Sequence, residues 1–174
     1  SAPLRLRVEF FFFVRASYMN PSSAIQIRPL KTTDIAAIMQ LHRELGWNPA
    51  FKDDGSTLKQ RLEALTGEEN ALLLVAELAG RVVGYIHGEI VPYLLFAGRE
   101  MLVSEVFVMA SERGKGVGRA LIQTIEAEAV RRKCFRISVL NSRERESYKR
   151  GFYPSQGYEE RTQTAYFTKR LDWG

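Results

Sequence analysis

A single α/β domain is what this sequence predicts, and three observations carry the prediction. Segments with two-residue alternation and segments with a 3.6-residue apolar stripe succeed one another along most of the chain. The 174 residues are 45% apolar, enough to bury one core, and no linker divides the part after Met19. The one cysteine excludes a disulfide framework, and with only two histidines beside it there is no set of spaced zinc ligands. No metal is expected, and the cysteine usage points to a reducing compartment or to indifference to redox; a cytoplasmic location is the expectation.

The elements follow in order. Residues 1–23 read as a leader, with an apolar run at 10–14 flanked by Arg5, Arg7 and Arg15. Glu9 cuts that run short of the roughly 7–15 apolar residues of a secretory core and further short of the ~20 of a membrane span. It is either an added strand or a segment outside the domain, and Met19 followed by Asn20-Pro21-Ser22-Ser23 favours the second. Residues 24–174 are then the domain proper. Residues 24–29 alternate (Ile25 and Ile27 against Gln26 and Arg28) as a strand does. Thr32, Thr33 and Asp34 are N-cap candidates for a helix striped by Ile35, Ile38, Met39, Leu41 and Leu45 and ended by Gly46. After a loop over 47–55, a second short helix spans 56–65. Strands at 70–78 and 81–91 form a hairpin around Ala79-Gly80. Residues 92–98 connect to a β-branched and aromatic strand at 101–109. A glycine-rich turn at 111–118 opens a helix reaching about residue 133, with Val117, Ala120, Leu121, Thr124, Ile125 and Ala129 on its core face. A strand at 135–140, a short helix within 144–152 and one or two closing strands within 158–171 complete the order β-α-α-β-β-β-α-β-α-β.

The formal charge of +5 favours anionic partners. There is no aromatic-basic patch or reader helix for a nucleic acid and no membrane span, so neither partner is expected. A polyphosphate remains, and residues 101–121 (MLVSEVFVMASERGKGVGRAL) suit it. Glycines let a backbone approach a ligand and converge its N–H groups, and a helix N-terminus adds unsatisfied donors and partial positive charge. Arg113, Lys115 and Arg119 supply full charges. The P-loop pattern fails because no Gly-Lys-Ser/Thr follows these glycines. The dinucleotide fingerprint fails because Leu121 stands where its third glycine belongs and because the turn follows several strands.

The spacing that fits is [QR]-x-x-G-x-[GA], met by Arg113, Gly116 and Gly118. Downstream, Phe152-Tyr153-Pro154-Ser155-Gln156-Gly157-Tyr158 matches FY-x-x-x-G-[FY], and Tyr166-Phe167-Thr168-Lys169-Arg170-Leu171 matches a closing F-x-K-x-L strand. In these three motifs and their order, residues 25–171 resemble the GNAT N-acetyltransferase superfamily. Ser104-Glu105-Val106-Phe107-Val108-Met109 and the Arg-rich approach to Phe152 look most like its small bacterial-type amine, aminoglycoside and aminoalkylphosphonate acetyltransferases. The resemblance implies a central mixed, mostly antiparallel sheet flanked by about four helices, with a splayed strand pair at the cofactor site. It implies acetyl-CoA as co-substrate, an amine acceptor, direct attack in a ternary complex and, by family habit, a homodimer. An acetyl-CoA-binding module without chemistry is the alternative.

The same resemblance assigns residues. The backbone of Val106, Phe107 and Val108 would pair with pantetheine, and Arg113, Gly114, Lys115, Gly116, Val117, Gly118 and Arg119 would cradle pyrophosphate. Asn141 would meet the pantetheine arm, although it lies twelve residues before Tyr153 and Lys149 occupies the family's small-residue position. The basic run at 143–150 could reach the 3′-phosphate. A leaving thiolate has a pKa of about 8.5, and Tyr153 is the general-acid candidate for it, with Tyr148 and Tyr158 in reserve. An alkylammonium has a pKa of about 10.4 and needs a base. Glu105, a charge inside an otherwise apolar strand, is the candidate, with His87 and Glu89 as substitutes. His42 reads as a residue of the first helix's polar side. Cys134 begins a buried strand, which argues against an acyl-cysteine route. Residues 47–56 and 93–99 would build the acceptor pocket, where Asp53, Asp54 and Glu89 could draw in a cationic amine.

Overall fold

The computed structural model describes residues 24–44, 56–66, 68–95, 98–169 and 171. The leader at 1–23 and the loop with Asp53 and Asp54 lie outside the described residues. The order is β1 (Gln26–Pro29), α1 (Ile35–Glu44), α2 (Ser56–Thr66), β2 (Ala71–Leu78), β3 (Arg81–Tyr93), β4 (Gly98–Val108), α3 (Val117–Arg131), β5 (Cys134–Val139) and α4 (Glu146–Lys149). Short 3-10 turns at Thr32–Asp34, Ala110–Glu112 and Pro154–Gln156 punctuate it. The sheet runs β1-β2-β3-β4-β5, antiparallel throughout except for the parallel β4–β5 pair. A parallel pair needs a crossover, and α3 is that crossover.

Hairpin β2–β3 turns through Ala79 and Gly80, whose φ values of 51° and 73° are the two positive angles a two-residue hairpin loop wants. Helix α3 packs on one face of the sheet. Val117, Leu121, Ile122, Ile125 and Ala129 are buried there with Ile86, Met101 and Val103. The approach is close: a Cβ on Gly88 would lie 2.6 Å from Ile125 Cδ1 and 2.9 Å from Met101 Sδ. Three residues back on β3, Tyr85 projects to the opposite face and meets His42 of α1. The core therefore has two layers, α3 below the sheet and α1 above it.

The β3–β4 ladder holds the irregularity that shapes the site. His87 pairs with Glu105 but Gly88 pairs with Val103, so Ser104 is an extra residue on β4. Such a bulge inverts the alternation beyond it. Met101 meets Gly88 on the α3 face, whereas Glu105, four residues on, meets Tyr85 on the α1 face.

The structure corrects several expectations. No strand forms within 158–169; those residues are a turn and irregular chain without a ladder, with Tyr166 75% and Phe167 90% exposed. Strand propensity needs a partner to be expressed, and Glu160 is instead held to Arg143 (2.6 Å) and Tyr148 (2.8 Å) of the basic loop. On α3, Ala120 and Thr124 are only half-buried while Ile122 is fully buried, so the core stripe is rotated from the expected one. Asp34 is not the cap residue but the last residue of the 3-10 turn, and its carboxylate reaches back to Lys31 N–H (2.8 Å). The same carboxylate accepts from Arg28 Nη1 and Nη2 (2.7 and 2.9 Å). Burial alone would raise the Asp34 carboxyl, but these donors hold it below its ordinary value. The short fourth helix is a single turn, Glu146–Lys149, inside the 144–152 window. No helix among the described residues is long and apolar enough to cross a membrane.

Candidate active site

The parallel β4–β5 ladder stops at Val103 and Val139, closed by Leu140 N–H to Val103 O (3.2 Å). Residues 104–108 continue beside β3 alone. The sheet opens on one side of β4 from Ser104 onward, and the glycine-rich turn comes immediately after.

That turn is built for close approach. Gly114 (φ 78°) and Gly116 (φ 87°) take left-handed conformations that side chains resist. Gly116 is the N-cap of α3, and the first intrahelical bond is Ala120 N–H to Gly116 O (2.9 Å). The N–H groups of Val117, Gly118 and Arg119 precede that bond and point out of the helix end. Gly118 has a further reason to be glycine: a Cβ there would come within 3.2 Å of Phe152 Cζ. The cleft is lined by Arg113, Gly114, Gly116, Gly118 and Arg119, closed by Arg150, Phe152, Ser155 and Gln156. Arg113 Nε donates to Val108 O (3.2 Å) and Arg119 Nε to Gln156 Oε1 (3.0 Å). Lys115 is different, because its Nζ is 3.0 Å from Glu112, a buried carboxylate that also faces Arg81 (3.3 Å). The Lys115 ammonium beside it holds the Glu112 carboxyl below the usual range. Arg150 lies over the Phe152 ring (5.5 Å) and adds a cation at the mouth. Helix amides, left-handed glycines and guanidinium groups together fit a polyphosphate.

On the α1 side, Glu105 is half-buried and its Oε2 accepts the Tyr85 hydroxyl at 2.7 Å. The Tyr85 oxygen in turn lies 2.7 Å from His42 Nε2. Phe107 is buried against both rings, 5.2 Å from Tyr85 and 6.0 Å from His42. His87 and Glu89 are occupied differently. His87 Nδ1 meets Ser104 Oγ (3.2 Å) and its Nε2 lies 3.6 Å from Glu89.

Tyr153 is half-buried in the turn after α4, packed edge-on to Phe152 (5.0 Å) and Tyr158 (5.8 Å). Its carbonyl accepts Gln156 and Tyr158 N–H (2.9 and 3.1 Å), which fixes the loop around it. Burial pushes its phenol up to about 12, with the charge of Arg145 opposing. Arg145 itself covers the Phe107 ring (5.7 Å) and so links the β4 side of the site to the Tyr153 side. Of the reserve tyrosines, Tyr148 spends its hydroxyl on Glu160, and Tyr158 is pushed up by burial and by neighbouring Glu126. Asn141 Oδ1 accepts Ser147 Oγ (3.3 Å), while its Nδ2 is buried without a hydrogen-bond partner among the described residues. An unsatisfied buried amide N–H fits a carbonyl-bearing ligand. Burial raises the Cys134 thiol, which leaves it protonated and a poor nucleophile.

With this geometry in hand, the Acetyltransferase (GNAT) family profile matches residues 36–158, more than half of the chain. The chain belongs to the GNAT acetyltransferase family. This acetyltransferase is 27% identical over 110 residues to the aminoglycoside N(6')-acetyltransferase type 1 of Klebsiella aerogenes, an alignment covering 62% of this chain and 72% of that one. It is 29% identical over 134 residues to the thialysine N-epsilon-acetyltransferase of Mus musculus, covering 68% and 76%. An aminoglycoside acetyltransferase structure from an uncultured soil metagenomic sample, in complex with trehalose, superposes with a TM-score of 0.68. It covers 85% of this chain and 97% of its own at 19% identity, a likeness of fold. The protein is thus an N-acetyltransferase with the mixed α/β fold of its family, which generally uses acetyl-CoA as co-substrate.

The sequence does not single out His42 and Tyr85 for the candidate site, and it offers Arg145 and Arg150 only as part of the basic run at 143–150. His42 was read as a residue of the helix's polar side, but the structure turns it toward the sheet against Tyr85. Tyr85 lies in an apolar run whose composition marks it only as core. Arg145 and Arg150 belong to a run of basic residues in which nothing in the spacing marks which two face the site. A usable signal existed only for Tyr85, which alternation places two residues from His87 on the same face.

Proposed function

We propose that this protein is an acetyl-CoA-dependent N-acetyltransferase that moves the acetyl group to a cationic primary amine by direct attack in a ternary complex. The observation that supports it best is the coincidence of the cradle at 113–119 with the place where β4 loses β5 as its neighbour. Bound acetyl-CoA supplies the activated acetyl thioester. The amides of Val117, Gly118 and Arg119, with Arg113 and Arg150, hold the pyrophosphate, and Lys115 keeps the turn in shape through Glu112. The open backbone at Val106, Phe107 and Val108 pairs with the pantetheine arm, and Asn141 Nδ2 donates to one of its carbonyls. A backbone N–H of that stretch would stabilise developing negative charge. Glu105 removes the proton that the acceptor ammonium must lose. Tyr153, which follows Phe152 of the cleft, is the phenol assigned to protonate the departing sulfur; burial raises its pKa to about 12, which keeps it protonated but makes it a weaker acid than a free phenol.

The relatives named for aminoglycoside and thialysine acetylation act on cationic amines, which supports an acceptor of that class. The test is thiol release from acetyl-CoA across a panel of polyamines, aminoglycosides and amino acids, preceded by thermal denaturation with acetyl-CoA. A raised melting temperature and release with at least one cationic amine are expected. No shift at saturating acetyl-CoA would overturn the reading.

A further inference from the structure

Glu105 is the base, and two groups stand behind it, Tyr85 and His42. Tyr85 is 2% exposed, a buried phenol that needs a partner. It has one proton to give. Carboxylate Oε2 of Glu105, 2.7 Å away, can only accept, so the proton goes there. The Tyr85 oxygen is then the acceptor in its 2.7 Å contact with His42, which places a proton on His42 Nε2. Burial holds the imidazole below its ordinary 6.5, against the pull of the Glu105 charge. Phe107 packs against both rings, 6.0 Å from His42 and 5.2 Å from Tyr85. The donors thus run one way, from α1 through β3 to β4, and all end on one oxygen of one carboxylate.

We propose that Tyr85 and His42 are positioning residues for acetyl transfer, anchoring Glu105 by Oε2 so that Oε1 is the oxygen presented to the acceptor amine. The proposal rests on Glu105 being the base. The proton balance is simple: one acceptor N–H bond breaks and one Glu105 O–H bond forms. No proton passes to Tyr85 or His42, because each already donates toward Glu105. The array sets direction and does not drain the proton away.

The test is steady-state kinetics of the full chain, with acetyl-CoA and whichever amine the panel identifies, alongside thermal melting. Tyr85→Phe should lower kcat about tenfold or more, the size expected for a lost hydrogen bond to a charged group. Its KM for acetyl-CoA should stay within about twofold, since the cradle lies on another element. His42→Phe should fall similarly, and His42→Gln, which restores an N–H donor without a titrating ring, should recover most of that loss. In a Glu105→Gln background, Tyr85→Phe should cost little more. An unchanged kcat in Tyr85→Phe or in His42→Phe, with Glu105→Gln collapsed, overturns the positioning role while leaving the base intact. A His42→Gln variant as slow as His42→Phe also overturns it. An unchanged Glu105→Gln would instead overturn the base reading beneath it. The two failures are therefore distinct.

Discussion

The two halves of β4 are one continuous strand with opposite fates. Residues 99–103 have neighbours on both edges, β3 on one side and β5 on the other, and Met101 and Val103 are fully buried. Residues 105–108 follow the extra residue Ser104, keep β3 alone and turn Glu105 toward Tyr85 on the α1 side. In the first half the ladder consumes the backbone's hydrogen-bonding groups and side chains make the core. In the second half a backbone edge and a carboxylate are left available, next to a helix N-terminus. The difference shows how one bulge and one short neighbour give a single strand a closed half and an open half.

Substitutions that strike one half and spare the other should separate these roles. The largest effect is expected from Glu105→Gln, with kcat lower by about 10²–10³, in line with general-base contributions, and a melting temperature near that of the parent. Steady-state rates and thermal melts check it together. Met101→Ala should do the reverse. A cavity in the buried half should cost about 2–5 kcal/mol in urea denaturation, while the folded enzyme keeps its KM for acetyl-CoA. Gly116→Val, at φ 87°, should cost about 1–2 kcal/mol of backbone strain and raise the acetyl-CoA KM several-fold, because the strain falls on the cradle. Titration calorimetry with acetyl-CoA reads the second effect directly.

The smallest effect concerns pH and belongs to the paired half. Burial alone would raise the Glu100 carboxyl, but Arg136 (2.7 Å) and Ser138 donate to it and bring it below its ordinary 4.5. The unfolded chain takes up this proton at higher pH than the folded chain does. The contribution to stability is therefore present above about 4.5 and is lost as pH falls through the lower folded value. Melting temperatures measured from pH 6 down to 3 should decline, and the decline should be shallower in Arg136→Gln. The rate behaviour of Glu105→Gln should be insensitive to that change.

Much of the fold was legible because periodicity reports burial. The hairpin turn at Ala79-Gly80, the α3 start at Val117 and the β5 segment each lie within a few residues of where alternation or glycine placement put them. The last strands were not legible. Tyr166 and Phe167 have the composition of a strand, but a strand exists only with a partner, and in this fold their side chains remain exposed. The bulge at Ser104 was equally hidden, since nothing in an alternating stretch announces that its parity changes.

For the candidate site, residue identity alone sets the chemistry available: glycines able to take left-handed angles, cations around them, one carboxylate inside an apolar strand and a tyrosine after Phe152. Local properties such as conformational freedom and charge are carried by residue identity, so they survive without coordinates. Which cation faces the cleft and which is spent on Glu112, why Arg150 joins it, and that His42 and Tyr85 stand behind Glu105 were decided by the tertiary structure alone. Those choices depend on contacts between elements far apart in the chain, α1 against β3 and β4, or α3 against the turn at Phe152. Such contacts are set by how the layers stack.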